Sequence, residues 1–526
     1  MVVFKASKYI LTGRSSRTTK SNAHRLLLNH GFIHPVGNGL YSLLPLGQRV
    51  IDKLVRLVDT ELESIGALKV NMPILGPRML WDKTSRWQNM GSELFSFKDR
   101  NEVEFCLQMV VFKASKYILT GRSSRTTKSN AHRLLLNHGF IHPVGNGLYS
   151  LLPLGQRVID KLVRLVDTEL ESIGALKVNM PILGPRMLWD KTSRWQNMGS
   201  ELFSFKDRNE VEFCLQPTAE EMCTQLISTL PHLKKRMFPL LLYQITEKFR
   251  DEMNPRFGLL RARQFLMKDL YSFDLNENDA TITYNMVCSV YDKIFKSQLG
   301  LEIYKVLAKP GIHGEFLSHE YHLKSPLDED GINFCSQCGF GNKREDDVHK
   351  SNCSGSCSVS TFSTVEVAHT FQLGTKYSRP LRALTPDNCP VEMCCFGIGI
   401  SRLLPAIAEL LSDSERLRLP SIIAPFSTAV VVTRPLQRDV ITEMVLSTID
   451  QRDGDVLFDD RVEDTVGKRV KALQRIGIPR IVVIGKTTQN TMNKVPKFEY
   501  IESQEDFNAT WESQELSLNE MMQIMK

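Results

Sequence analysis

The sequence predicts an α+β chain, with a larger body built around an antiparallel sheet and a smaller α/β domain after it, on three observations. Two strand-like runs, residues 243–250 and 265–273, flank a loop holding Pro255, Gly258 and several cations, the pattern of an antiparallel hairpin. After Pro420 the pattern becomes strand 428–433, helix 438–451, strand 455–458, helix 468–475 and strand 481–484, which predicts a small, largely parallel sheet. Residues 1–108 recur without one change as residues 109–216, so only the second copy runs directly into the hairpin.

That repeat sets the domain layout. Repeat architectures need about three or more units and their copies drift apart. Here there are two identical copies and the second opens on Met109, which reads as a recent duplication or an artefact of gene prediction. Residues 1–108 are then surplus, 109–416 form the body with a cysteine-containing insertion at about 305–360, and 417–526 form the second domain. The chain is 42% hydrophobic, and no apolar run reaches the roughly 18 residues of a membrane helix. A net charge of +7 leans towards a polyanionic partner. Lys5, Lys8, Arg14, Arg17, Lys20 and Arg25 all precede the first acid, Asp52, among serines and threonines. This is the composition of a mitochondrial presequence and implies the matrix; a cytoplasmic protein with a basic arm is the alternative. Eleven scattered cysteines without a secretory signal fit a reducing compartment.

Along the second copy, Val158, Ile159, Leu162, Leu165, Val166, Leu170 and Ile173 fall at helical spacing and predict a helix over 155–173, stopped by Gly174. A short strand, 175–180, follows and meets Pro181. In Pro217-Thr218-Ala219-Glu220-Glu221, an extended backbone puts the Thr218 hydroxyl and the Glu220 carboxylate on one side, where they can hold a small ammonium group. Thr218 also stands in capping-box register with Glu221, the structural alternative. On the hairpin, Arg250 and Arg261 suit a polyphosphate, Phe265 offers a ring face to a nucleobase, and Glu252 can accept from an exocyclic amine. The glycines of Gly397-Ile398-Gly399-Ile400-Ser401-Arg402 allow close backbone approach to a ligand, with a helix from the arginine onwards. Cys335-x2-Cys338 and Cys353-x3-Cys357, fourteen residues apart, can hold a tetrahedral structural zinc or stand as reduced thiols in a polar loop.

The pattern Phe249-Arg250-Asp251-Glu252, loop, Arg261-x-x-x-Phe265-x-x-x-Asp269 resembles motif 2 of the class II aminoacyl-tRNA synthetases. The helix, strand and Pro181 resemble motif 1, and 397–402 resembles motif 3. With the Pro-Thr-x-Glu-Glu loop, Leu317-Ser318-His319-Glu320-Tyr321 and the block from Val365 to Ser378, the order is similar to the prolyl-tRNA synthetases of the bacterial and mitochondrial type. Ala219 departs from the family's usual Ser or His, and His313-Gly314-Glu315-Phe316 from its paired glycines.

The resemblance implies a class II antiparallel-sheet catalytic domain followed by an anticodon-binding domain. It implies ATP on Arg250, Glu252, Arg261, Phe265, Gln372 and Arg402 with Mg2+, and L-proline on Thr218, Glu220, Arg250 and His369. Arg250 and Arg402 are the implied catalytic pair, and tRNA(Pro) the acceptor, read by a domain that includes Asp459-Asp460-Arg461 and Gly467-Lys468. A homodimer through motif 1 is a further implication. The absence of a long apolar run argues against membrane association, and the short span from motif 2 to motif 3, too short for the large editing insertion of many bacterial members, against editing of misacylated alanine. A threonyl-type class IIa enzyme is disfavoured by the 217–221 loop, and an inactive synthetase-like RNA-binding protein by retention of all three arginines. The second copy is expected to win the place beside the hairpin. The first is expected to pack poorly or as a detached subdomain, or to mimic a dimer partner across motif 1.

Overall fold

The computed structural model describes residues 21–83, 86–90, 96–107, 127–230, 233–309, 317–345, 359–453, 455–491, 495–503 and 511–525. The chain divides into two units, Met1–Tyr117 with Ile141–Pro153 and Leu162–Ala406, and Ile118–Phe140 with Leu154–Lys161 and Ile407–Lys526.

The first unit carries a nine-stranded sheet in the order Ser318–Lys324, Tyr304–Leu307, Gly341–Lys343, Asp330–Cys335, Val359–Gly374, Glu392–Gly399, Gln264–Asp274, Leu240–Phe249, Leu176–Lys177. The predicted hairpin is its centre, antiparallel from Leu240↔Phe273 to Phe249↔Gln264. The first strand starts earlier than expected because Leu240, Leu241 and Leu242 form one buried apolar run. The strand expected over 175–180 is cut to Leu176–Lys177, because the backbone of Asn179 bonds instead to Leu43 of the first copy.

The helix expected over 155–173 spans Pro153–Ser172, with proline in its first turn. It stops at Gly174, whose φ of 81° suits glycine. Its stripe is buried: Leu162 and Val166 are 0% exposed. The identical sequence in the first copy forms helix Pro45–Ser64, but there Leu54 is 51% and Val58 54% exposed. The second copy therefore holds the core position. The rest of the first copy is not a detached subdomain. Its strands Leu75–Pro77 and Ser96–Lys98 bring Leu75 and Phe97 into one buried cluster with Phe203, Phe205, Leu215 and Phe249.

The second unit has a five-stranded sheet in the order Val456–Asp459, Thr428–Val432, Arg480–Ile484, Lys497–Ser503, Trp511–Ser517. The first three are parallel, as the alternation predicts. The last two form an antiparallel hairpin, and a capping box between Ser517 and Glu520 starts helix Leu518–Ile524. The segment from Trp511 to Ile524 thus adds a strand and a helix to this unit. Of the two cations singled out here, Arg461 is bound to Asp459 (2.6 Å) and Lys468 to Asp464 (2.6 Å). Among the described residues no helix is long and apolar enough to cross a membrane.

Candidate active site

A cavity of about 490 Å³ opens over the hairpin in the first unit. Thr218, Glu220, Arg250, Glu252, Arg261, Phe265, His369 and Arg402 all line it, although they are spread over some 180 residues of sequence. Pleating explains the hairpin's share. Phe265, Met267 and Asp269 face the cavity, while Lys268 between them points away and donates to Tyr291 Oη and to the Phe396 carbonyl (2.9 Å). Gln372 does not line the cavity. The His369 and Phe371 rings stack on the cavity side at 3.8 Å and 16°, so the next side chain, that of Gln372, lies on the opposite face of the strand.

One end of the cavity is a carboxylate nest. Thr218 Oγ1 donates to Glu220 Oε2 (2.7 Å), and the amide of Ala219 donates to Tyr271 Oη (2.9 Å), which donates to Asp269 Oδ2 (2.9 Å). The helix that follows, Glu220–Thr229, has Ala219 as its N-cap with no side-chain cap bond, so the capping-box reading of Thr218 does not hold. Its hydroxyl is committed to Glu220 instead.

Sequence reasoning missed the residue that holds this nest. Arg194, fully buried, donates from Nη1 to Glu220 Oε2 (2.8 Å) and Glu221 Oε2 (3.1 Å) and lies over the Trp189 ring at 5.0 Å. Burial opposes its charge, but Glu221 and Glu220 more than restore it. Two adjacent buried glutamates are the signal that a cation must come from elsewhere in the chain.

The middle of the cavity is cationic. Arg250 is half-buried, its guanidinium carbon lies 5.4 Å from the Phe265 ring centroid, and among the described residues its Nε has no hydrogen-bond partner. Burial and then the like charge of Arg402 push its pKa down. Arg402, in the first turn of helix Ile400–Leu411, donates to the backbone oxygen of Glu366 (3.0 Å). Ser401 beside it accepts the Leu266 amide (3.0 Å), tying the helix start to the hairpin. Arg261 lies at the outer edge, bound through Nε to Glu252 (2.9 Å) and through Nη1 to Glu329 (3.2 Å). Glu252 therefore meets Arg261 rather than standing free for an exocyclic amine.

Across from the arginines, His369 Nε2 bonds Ser318 Oγ (2.7 Å) and its Nδ1 bonds Glu366 (3.2 Å). Glu320 is held by His322 (2.8 Å) and Lys343 (3.0 Å). Burial would raise the Glu366 carboxyl, but His369 and Arg402 hold it below the usual carboxylate range. Glu320, Glu366 and His369 each offer one donor atom within 4.8 Å of the others. Of the cysteine quartet, Cys335 ends a strand and is buried while Cys338 is exposed; Cys353 and Cys357 lie outside the described residues, as does 313–316.

Residues 203–410 match the tRNA synthetase class II core domain (G, H, P, S and T), and residues 432–526 match the anticodon binding domain. The chain is 40% identical over 371 residues to a probable mitochondrial proline–tRNA ligase of Homo sapiens, covering 68% of this chain and 78% of that protein. It is 37% identical over 394 residues to the proline–tRNA ligase of Ehrlichia ruminantium, covering 71% and 91%. Among solved structures, the Giardia lamblia prolyl-tRNA synthetase in complex with prolyl-adenylate shares the fold, with a TM-score of 0.61 at 17% identity over 75% of this chain and 77% of that one. With relatives at this identity over more than two thirds of their length, and the class II core domain matched across the cavity just described, the chain belongs to the prolyl-tRNA synthetase family of class II.

Proposed function

We infer that the chain joins L-proline to tRNA(Pro) with ATP, through a prolyl-adenylate, and that it does so in the mitochondrial matrix. One observation carries the reading: two arginines, Arg250 and Arg402, line a single cavity that also holds an aromatic face and a carboxylate nest. Such a pair calls for an anion between them, and the nest for a small cation. The cationic imino group of proline is placed against Glu220 and Thr218, with its carboxylate turned towards Arg250. A carboxylate oxygen attacks the α-phosphorus, the bond from that phosphorus to the bridging oxygen breaks, and pyrophosphate leaves. The arginines stabilise charge on the transferring group, which is catalysis by fixed electrostatics and positioning. The terminal ribose hydroxyl of tRNA then attacks the acyl carbon, giving up its proton, and AMP leaves.

The donor set of Glu320 and Glu366, oxygens facing the phosphate-binding arginines, fits magnesium, and these two carboxylates would hold it. Bound there, the ion offsets phosphate charge. A structural zinc fits the turn after Cys335, where Gly339 at φ 72° returns its amide to the Cys335 carbonyl (2.9 Å) and brings Cys338 round. The motif 1 face is the dimerisation face in this reading, and the mitochondrial names of the mammalian and fission yeast relatives support the compartment. ATP–pyrophosphate exchange with a panel of amino acids tests the assignment: proline alone should support exchange, and exchange driven by threonine, or by none, would overturn it.

A further inference from the structure

The two identical segments touch each other reciprocally. The backbones of Leu43 and Asn179 exchange both hydrogen bonds (2.8 and 3.0 Å), and so do those of Leu151 and Asn71 (2.8 and 3.0 Å), the same two repeat positions with the copies exchanged. Ser42 Oγ lies 3.2 Å from Met180 Sδ, and Ser150 Oγ lies 3.1 Å from Met72 Sδ, again an exchanged pair. Phe97 stacks on Phe205, its own counterpart, at 5.7 Å and 22°. Contact of i with j and j with i is the rule of a two-fold interface between identical subunits, and chain connectivity does not require it within one polypeptide.

The first copy has no catalytic body of its own, and a group of its other contacts runs into the hairpin that follows the second copy. Asp99 accepts from Arg263 Nη2 (2.8 Å), and the same nitrogen donates to Asp251 (2.6 Å). The Arg100 amide donates to Asp251 (2.8 Å), and the Ile74 amide to Gln264 (2.8 Å). Asp251, Arg263 and Gln264 bracket the loop that carries Arg261; Asp251 directly follows Arg250, and Gln264 directly precedes Phe265. The corresponding Asp207 closes the same turn, accepting from the amides of Asn209 and Val211 (2.8 and 2.9 Å), and among the described residues no cation pairs with it.

We propose that the first copy acts in cis as a substitute for a partner subunit: it covers the two-fold face of the second copy and, through Asp99 and Arg100, braces the hairpin that carries the ATP-binding arginines. A segment on the same chain meets its site at an effective concentration on the order of millimolar, so it outcompetes a second chain at micromolar concentration. The activity readout below rests on the proposed function; the other two do not.

The full chain should sediment as a single species of 59.9 kDa at micromolar concentration. A species of twice that mass would overturn the proposal. In the full chain, Asp99→Ala should speed hydrogen exchange of amides in 250–264 and raise the KM for ATP several-fold with little change for proline. Asp207→Ala, which loses the same turn bonds, should do neither. Equal responses to the two substitutions, or no change in amide protection with Asp99→Ala, would also overturn it. Because sedimentation and amide protection do not depend on turnover, a failure of the enzymatic assignment would be seen separately.

Discussion

The half-buried guanidinium of Arg250 shares one cavity with that of Arg402, and its ionisation is depressed first by desolvation and then by that neighbour, against the pull of Glu252, Glu366 and Glu201. Two cations held close together weaken the folded state to the extent that neighbouring carboxylates do not offset them. The pair is thus a ligand-shaped cost, relieved when a phosphate or carboxylate enters.

Arg250→Ala should therefore remove activity without removing the fold. Exchange of pyrophosphate into ATP is expected to fall by about 100-fold or more, the usual scale for loss of a group that stabilises transition-state charge. Thermal unfolding in the absence of ligand should be unchanged or shifted upwards. Normal exchange by this variant would sink the assignment.

In the proposed function, the proline end can be separated from the ATP end. Thr218→Ala should raise the KM for proline far more than that for ATP, and steady-state titration of each substrate checks it. Glu220→Ala is a blunter probe, because it leaves the buried Arg194 with Glu221 as its remaining carboxylate partner. Stripping one partner from a buried ion pair costs about 3–5 kcal/mol, so this variant should lose stability along with proline affinity.

Lys268 predicts how stability changes with pH. Burial pushes its amine down to about 7 from an ordinary value of 10.5. Between those values the unfolded chain binds a proton that the folded chain does not, so stability should rise with pH across the window and be lowest below it. Lys268→Met should flatten that slope, with its largest stabilising effect on the acid side. Chemical denaturation at a series of pH values measures both.

Metal analysis of purified protein should find about one zinc per chain, lost together with local structure on chelation. A metal-free but equally stable protein would return Cys335 and Cys338 to ordinary thiols.

A chain starting at Met109 should stay active, become more soluble and associate in pairs, because it loses the exposed stripe of Leu54, Leu57 and Val58 and uncovers the two-fold face. In that shorter chain, Asp207→Ala should become the harmful substitution, since the only copy of the bracing turn would then come from the partner.

The hairpin was legible in the sequence because its chemistry repeats at strand period: Phe265, Met267 and Asp269 share a face, and the register from Leu240 to Phe249 runs without a bulge. The alternating α/β segment was legible through its β-branched runs, such as Thr428–Val432, which is buried throughout. Trp511–Ser517 was not, since a strand at the sheet edge with mostly exposed side chains needs no apolar pattern. Arg194 was invisible for a different reason. It gains its meaning only from carboxylates 26 and 27 residues away, and no local spacing records that pairing. Gln372 falls outside the cavity lining because the resemblance fixes a residue's position along a strand, whereas the pleat fixes which way it faces.

Identical residues in the two copies live under different rules. Leu54 and Leu162 are the same position of the repeat, yet one is 51% exposed and the other fully enclosed. A polar replacement at Leu54 removes sticky surface, while the same replacement at Leu162 breaks a core. If both copies are inherited, mutation should erode the helix of the first copy early and spare its Asp99 turn. The second copy, bound to serve both core and interface, should change least. The present lack of any difference between them then dates the repeat as younger than the time such erosion takes.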